Sequence, residues 1–213
     1  MKFSELVDLV KDLPAFETGF LLSGDVNANY IRKQMSLWVN SGKIIQLRRG
    51  LYTLAPPYQQ VKPHPFLLAN HIQPASYVSF QSALLYYGLI PEHVPVTTSI
   101  TTKKPGVWET PVGTFTYRHI KGGWFNNYTS IDLGGNQSAF IANPEKAILD
   151  LILLEPKSGS VEYIQELRMQ NLHVLDINKM KRLVEKSRKP KLARAFKHIV
   201  QLALDEKKGY KQL

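Results

Sequence analysis

The chain has 213 residues, of which 44% are hydrophobic, so it is long enough to bury a core in one large or two small domains. Its formal net charge of +10 favours an anionic partner, with nucleic acid ahead of an acidic membrane surface. The absence of cysteine excludes disulfides and thiolate metal sites. No window reaches the roughly 18 apolar residues of a membrane span, and the first residues lack the apolar run of a signal peptide, so we expect a cytoplasmic protein.

Two short helical segments are predicted at the start of the chain. Apolar residues from Phe3 to Leu13 recur at helical spacing, with Ser4 as the expected N-cap and Pro14 as the end of the helix. A second helical segment is predicted from Phe16 to Leu22, followed by a turn at 23–25.

A third helix is predicted from 26 to 40, with Asp25 as its N-cap and Ser41-Gly42 as its end. At about 100° per residue, its side chains separate into two faces. The apolar face consists of Ala28, Ile31, Met35, Trp38, Val39 and Gly42. The polar face consists of Asn29, Arg32, Lys33, Ser36 and Asn40. One side of this helix should therefore be buried, and the other should be free for polar contacts.

After Gly42 the apolar period changes from 3.6 to 2, which predicts a β-hairpin with a two-residue turn at Arg49-Gly50. The implied register puts Leu47 opposite Tyr52 and Ile45 opposite Leu54, with Gln46 and Arg48 on the other face. Arg48 and Arg49 would stand in solvent at the tip, far in sequence from any acid, as suits a DNA phosphate backbone. A helix followed by a basic hairpin is typical of a winged helix-turn-helix domain, which we predict for residues 1–62.

Residues 55–65 are rich in proline and break all periodicity, which predicts a linker between two domains. The remainder, 63–213, is predicted to be a larger mixed α+β domain, sheet-rich over 63–154 and helical and basic over 155–213. The predicted fold class is therefore α+β. Basic residues outnumber acidic ones by 8 to 5 in residues 1–62 and by 14 to 7 in the last segment, whereas the middle has five of each. The basic ends should touch nucleic acid, while the neutral middle packs or binds protein.

In the second domain, one helix is predicted from Phe66 to Ile72, and another is capped by Ser79 and ended by Gly88 in the left-handed conformation. The expected strands cover 94–102, 113–121, 124–133 and 137–142, with hairpin turns at Gly122-Gly123 and Gly134-Gly135. Asn143, Pro144 and Glu145 carry the signals that begin the next helix.

The tail from residue 155 contains three predicted helices. Ser160 and Asp176 are the expected N-caps of two of them. The third has an apolar stripe of Leu192, Phe196, Ile199, Val200 and Ala203, opposite Lys191, Arg194, Lys197 and His198. Its basic face is either a second contact with DNA, through Lys191, Arg194 and Lys197, or a solvated surface.

Four stretches of the chain share their order and pattern with a known family. They are WVNSGKI at 38–44, RGLY at 49–52, Y-x-S-x-x-SA at 77–83 continuing to Gly88-Leu89, and PEKAILD at 144–150. Together they resemble the AbiEi-type antitoxins and transcriptional regulators of type IV toxin-antitoxin and phage-defence systems. Tyr87 stands where that family commonly has histidine, and Lys146 where it usually has arginine. No family motif lies beyond Asp150.

The resemblance implies an N-terminal winged helix that binds the promoter repeats of its own operon. It also implies a C-terminal antitoxin domain that supports repression and neutralises a toxin similar to nucleotidyltransferases. Double-stranded DNA is therefore the expected partner, and a cognate toxin is a functional partner that need not bind physically. No cofactor is expected, and the sequence leaves the oligomeric state open.

The residues themselves indicate how DNA would be contacted. Arginine and lysine side chains can read guanine at major-groove edges, and asparagine can read adenine. The candidates on the third helix and at its entrance are Asn27, Asn29, Tyr30, Arg32, Lys33 and Ser36. The candidates for phosphate or minor-groove contact are Lys43, Arg48 and Arg49.

Catalysis has less support from the sequence. Ser79 and Ser82 lack the Gly-x-Ser-x-Gly pattern of a nucleophile, and Glu145 and Asp150 lie about 140° apart on a helix. The six histidines form no i, i+3 or i, i+4 pair, so we expect neither an enzyme nor a metal site. Two alternatives remain open. One is a nuclease whose acidic residues, Asp132, Glu145 and Asp150, come together only in the folded chain. The other is an interaction module whose basic faces bind an acidic protein.

Overall fold

The structure is a computed structural model that describes residues 1–22 and 27–209, and these residues form a mixed α+β fold. The predicted α+β class is confirmed at this level. The turn expected at 23–25, which includes the expected N-cap Asp25, lies outside the described residues.

The first 54 residues, where they are described, fold in the order α-β-α-α-β-β. The elements are α1 (Phe3–Val10), β1 (Phe16–Glu17), α2 (Thr18–Leu21), α3 (Ala28–Asn40), β2 (Ile44–Arg48) and β3 (Leu51–Leu54). The three strands pair in the order β1-β3-β2, and both pairings are antiparallel.

Two predictions near the N-terminus are wrong. The N-cap of α1 is Lys2 rather than Ser4, and the Lys2 backbone N–H donates to Glu5 Oε2 at 2.8 Å. The segment that begins at Phe16 starts as a strand rather than a helix. Phe16 is buried opposite Tyr52, and its backbone extends the sheet at the free edge of β3.

The β2–β3 hairpin turns at Arg49-Gly50 as predicted, but its register differs beyond the turn. The observed pairs are Arg48 with Leu51, Gln46 with Tyr52, Ile45 with Thr53 and Ile44 with Leu54. A β-bulge at Leu47 causes the difference, because an extra residue on one strand moves every later pair by one position. The predicted pairings of Leu47 with Tyr52 and of Ile45 with Leu54 are therefore wrong.

The hairpin is buried on two sides. Ile44 and Leu54 belong to an N-terminal core that also contains the buried apolar residues of α1 and α3. Leu47 and Leu51 belong instead to the larger core formed by the rest of the chain. The hairpin thus packs against both cores and joins them directly.

The middle of the chain contains a mixed sheet and three helices that pack on it. The elements are α4 (Pro65–Ile72), β4 (Ser76–Val78), α5 (Phe80–Tyr86), β5 (Val96–Thr101), β6 (Gly106–Thr110), β7 (Gly113–His119), β8 (Tyr128–Gly134), β9 (Gln137–Ala142) and α6 (Pro144–Leu154). The described strands are ordered β6-β7-β5-β4-β9-β8. The β5–β7 and β4–β9 pairs are parallel and the others antiparallel.

The predicted glycine turns have different outcomes. The turn between the paired strands β8 and β9 consists of Gly135 and Asn136, both at positive φ, one position later than predicted, because Gly134 still pairs with Gln137. Gly88 has the predicted left-handed conformation. Gly122-Gly123 does not form a hairpin turn, because it connects β7 to β8, which lie apart in the sheet. Strand β6 was not predicted.

The C-terminal part is helical, as predicted. Its helices are α7 (Val161–Glu166), α8 (Ile177–Ser187) and α9 (Pro190–Gly209). The predicted N-caps are confirmed, since Ser160 Oγ accepts from the Tyr163 N–H and Asp176 Oδ1 accepts from the Lys179 N–H. Among the described residues, no helix combines the length and the apolar character needed to span a membrane.

His64 is the N-cap of α4. Its Nδ1 accepts a hydrogen bond from the Phe66 backbone N–H at 3.1 Å, and its own backbone N–H donates to Gln137 Oε1 at 2.8 Å. Only an unprotonated ring nitrogen can accept a hydrogen bond. Burial lowers the pKa of His64 below its ordinary value of 6.5, which keeps the ring in the neutral form that the cap requires.

We expect the free energy of unfolding to fall as the pH drops from about 7 to about 5. The pKa of His64 is lower in the folded chain, so the unfolded chain binds more protons in this range and acid favours unfolding. His64→Asn keeps a side-chain acceptor at the N-cap without titrating, so its stability should depend less on pH. Urea unfolding at several pH values in this range measures how the free energy of unfolding changes with pH in the unmodified chain and in the variant. Burial also lowers the pKa of His71, which should account for the pH dependence that remains in the variant. The same pH dependence in both proteins would contradict the role of His64.

Candidate nucleic-acid interface

Asn27 fixes the start of α3. Its Oδ1 accepts hydrogen bonds from the backbone N–H groups of Asn29 at 3.0 Å and Tyr30 at 3.1 Å. These bonds satisfy two of the N–H groups that a helix leaves unpaired at its N-terminus. The N-cap of α3 is therefore Asn27, a residue that the sequence placed among the candidates for DNA contact.

The two predicted faces of α3 are present in the structure. Ile31, Met35 and Trp38 are buried in the N-terminal core. The polar side chains of the opposite face are all exposed: Asn29, Arg32, Lys33, Ser36 and Asn40. The face predicted to be available for polar contacts is thus in solvent, and no described part of the second half of the chain covers it.

Contacts within this face restrict some of its side chains. Arg32 Nη1 donates to Asn29 Oδ1 at 3.3 Å, and Ser36 Oγ donates to the Arg32 carbonyl at 3.1 Å. Tyr30 lies on the exposed side, with 49% of its surface accessible. Lys43 follows the helix, and its Nζ lies 4.9 Å from the centroid of the Phe3 ring. Asn29 and Arg32 therefore form one polar unit near the start of the helix, and Lys43 lies beyond its other end.

Arg48 does not stand in solvent, contrary to the expectation from the sequence. Its Nη2 pairs with Glu17 Oε1 at 2.9 Å, and its Nε donates to the His71 carbonyl at 3.2 Å. A third bond joins Nη1 to the Arg49 carbonyl at 3.1 Å. The prediction failed because β1, expected to be helical, brings an acid from 31 positions earlier in the sequence next to the hairpin. Arg49 itself is exposed at the turn.

The three basic residues predicted on α9 are not equivalent. Arg194 and Lys197 are exposed, as expected. Lys191 is partly buried, and its Nζ donates to the Glu155 carbonyl, while burial lowers its pKa. Lys191 and Arg194 line an open cleft of about 600 Å³ together with Lys157. Two of the three cations thus remain available to an outside partner.

The acids named for a nuclease lie in different environments. Asp132 is exposed on β8, whereas Glu145 and Asp150 are buried in α6, at 3% and 0% exposure. Within residues 1–22 and 27–209, no group of three or more histidine and acidic side chains could hold a metal ion. The described structure therefore provides no assembled metal site for this alternative.

Asp150 is the centre of a buried polar cluster. Its Oδ2 accepts hydrogen bonds from Tyr77 Oη at 3.0 Å and Ser79 Oγ at 2.9 Å. Its Oδ1 accepts from Trp124 Nε1 at 2.9 Å and from Lys146 Nζ. The Lys146 ammonium also lies over the rings of Tyr77 and Trp124. The Ser79 hydroxyl makes no capping bond, so the prediction that it caps α5 through its side chain is wrong.

Burial and pairing act in opposite directions on this cluster. Burial raises the pKa of Asp150 and lowers that of Lys146, and the ion pair opposes both shifts. Four donors converge on one carboxylate, which is the environment that a buried charge requires. Tyr77, Ser79, Lys146 and Asp150 therefore have a structural role in the core.

Glu145, near the start of α6, connects this helix to α8. Its Oε1 accepts from the Asp176 backbone N–H at 2.9 Å, and its Oε2 lies 3.0 Å from Lys179 Nζ. The carboxylate therefore lies at the N-terminus of α8, where negative charge is favoured. Glu145 also lies in the first turn of α6, after the N-cap Asn143, as the sequence predicted.

Comparison with known proteins does not extend these observations. The chain matches no protein-family model, and no match was found among curated proteins.

Lys146→Met should lower the free energy of unfolding by about 3–5 kcal/mol, because it leaves the Asp150 carboxylate buried without its counter-charge. The double variant Lys146→Met with Asp150→Asn contains neither charge, and its amide oxygen can still accept hydrogen bonds, so it should recover much of the loss. Lys181→Met is the matched control, since that lysine is exposed and its ion pair contributes at most about 1 kcal/mol. Chemical denaturation measures these three variants and the single variant Asp150→Asn. Losses that simply add in the double variant would show that the ion pair is not the cause.

Proposed function

We propose that the chain is a sequence-specific DNA-binding transcriptional regulator with a winged helix-turn-helix at residues 1–62. The main support for this proposal is the exposed polar face of α3. The helices and strands around α3 follow one another in the order α-β-α-α-β-β. In helix-turn-helix proteins the second helix of the pair lies in the major groove. By this assignment α3 is the recognition helix and the β2–β3 hairpin is the wing.

The base-reading residues follow from the exposed face of α3. Asn29 suits adenine, and Arg32 and Lys33 suit guanine, through hydrogen bonds at the major-groove edge. Tyr30 and Ser36 flank them on the same exposed side. The hydrogen bond between Asn29 and Arg32 holds the two side chains together, so they would contact adjacent positions of the duplex.

The wing contributes phosphate contacts unequally. Arg49 is exposed at the turn and is the principal candidate, with Lys43 as a second cation at the end of α3. Arg48 is paired with Glu17, so a phosphate must compete with that carboxylate for the same guanidinium. Arg194 and Lys197 on α9 provide a second, separate basic surface for the duplex.

We further propose that the regulator is the antitoxin of a type IV toxin-antitoxin operon, which represses its own promoter and counteracts a toxin similar to nucleotidyltransferases. Support comes from the four sequence stretches between residues 38 and 150 that resemble AbiEi-type proteins. The buried members of those stretches support the fold, whereas 38–44 and 49–52 include the end of α3 and the wing. A nucleotidyltransferase-like reading frame next to this gene is the first observation to seek.

Arg49→Ala should weaken binding to all duplexes and reduce the slope of log affinity against log salt by about 1. Arg48→Ala should have a smaller effect, since its charge is already paired with a carboxylate. Glu17→Gln should increase affinity and steepen the salt dependence, because it releases Arg48 for a phosphate. Fluorescence anisotropy with a labelled duplex over a salt series measures all three slopes. The proposed difference between Arg48 and Arg49 would be contradicted if both substitutions changed DNA affinity equally and Glu17→Gln did not change it.

Asn29→Ala should relax the preference for one base pair, at about 1–3 kcal/mol of discrimination, with little change in non-specific affinity. Asn40→Ala is the matched control, because it removes an exposed asparagine of the same face at the far end of the helix. Competition with a set of single-base operator variants reports the preference. A uniform loss over all sequences in Asn29→Ala would argue against base reading by this residue.

A further inference from the structure

A cavity of about 450 Å³ lies where the N-terminal sheet meets the larger sheet. Its walls come from β1, from α4 and the turn after it, and from the paired strands β8 and β9. The volume is within the range of about 300–1,000 Å³ that small-molecule sites occupy. Apart from Glu17, which pairs with Arg48, the residues that line this cavity have no part in the proposed DNA contact.

Aromatic rings form one wall of the cavity. The rings of Phe125 and Tyr128 are 5.2 Å apart between centroids, and those of Tyr128 and Phe140 are 5.7 Å apart. Tyr128 and Phe140 keep 36% and 49% of their surface exposed, although both are large aromatic residues. The buried Tyr77 ring stacks on Tyr128 at 4.8 Å and holds it in place. The wall is therefore a preformed aromatic surface that faces solvent.

The ionisable residues that line the cavity suit a cation better than an anion. Glu17 is the one carboxylate among its described lining residues, and none of those residues is a lysine or an arginine. Burial lowers the pKa of His71, which also lines the cavity, so this ring is neutral at neutral pH. Glu17 Oε1 binds Arg48, and its side chain is 58% exposed, so the carboxylate can accept a second partner. An anionic ligand would find no free cation on these walls.

We propose that this cavity binds a small organic cation, of the substituted-ammonium class. Aromatic faces attract such cations through their quadrupoles. A nearby carboxylate adds the opposite charge that the cation requires. The rings of Tyr128 and Phe140 form the cage, and Glu17 supplies the counter-charge at its edge.

The test compares choline with 3,3-dimethyl-1-butanol, which has nearly the same shape but no charge. In NMR or calorimetric titrations of the full chain without DNA, choline should bind at least about tenfold more tightly. Phe140→Leu and Tyr128→Leu, which remove a ring but keep an apolar side chain, should each weaken choline binding several-fold. Glu17→Gln should weaken choline binding and leave the alcohol unaffected. Tyr86→Leu is the control, because that exposed tyrosine lies outside the cavity.

Three results would overturn the proposal. They are equal binding of the two probes, no choline binding up to about 100 mM, and unchanged choline binding in both Phe140→Leu and Glu17→Gln. Thermal unfolding shows whether each variant is folded. Phe140 is half exposed, so its replacement tests the cage even if Tyr128→Leu disturbs the stacked Tyr77. None of these measurements involves DNA, so their outcome is independent of the proposed regulatory function.

Discussion

Burial of the β2–β3 hairpin between two hydrophobic cores is the constraint on which the rest of the structure depends. Ile44 and Leu54 fill the N-terminal core, and Leu47 and Leu51 fill the larger one. A buried aliphatic side chain of this size contributes about 1.5–3 kcal/mol, so either side of the hairpin is costly to expose. Because α3 packs against β2, the same burial fixes the position of α3 and leaves its polar face in solvent.

The same burial limits how far the hairpin can extend from the rest of the structure. Leu47 is an extra residue in its strand, and the bulge around it directs this side chain into the larger core. Arg48 then lies beside Glu17 and the His71 carbonyl, which ties the base of the turn to both parts of the chain. Arg49 at the turn is the one basic residue of the hairpin that is exposed. The proposed wing is therefore a short, anchored contact rather than a flexible arm.

Local patterns in the sequence correctly predicted structural features that depend on neighbouring residues. They failed for features that depend on contacts between residues far apart in the sequence. The two faces of α3 follow from a 3.6-residue period, which a sequence displays directly. The bulge at Leu47 has no such signature, and the Glu17–Arg48 pair joins residues 31 positions apart. A pair of glycines at 122–123 suggests a tight turn, yet only the strand order shows that it joins strands that do not pair. Likewise, nothing in the sequence showed that four donors converge on Asp150.

The central claim is that α3 and the turn of the hairpin bind one DNA duplex in a sequence-specific manner. The most direct test measures the affinity of the unmodified chain for the duplex upstream of its own gene. A scrambled duplex of equal length and heparin serve as competitors at one fixed salt concentration. The account predicts that the upstream duplex binds at least about a thousandfold more tightly than the scrambled one. Equal affinity for the two duplexes, or stronger binding to heparin, would contradict it.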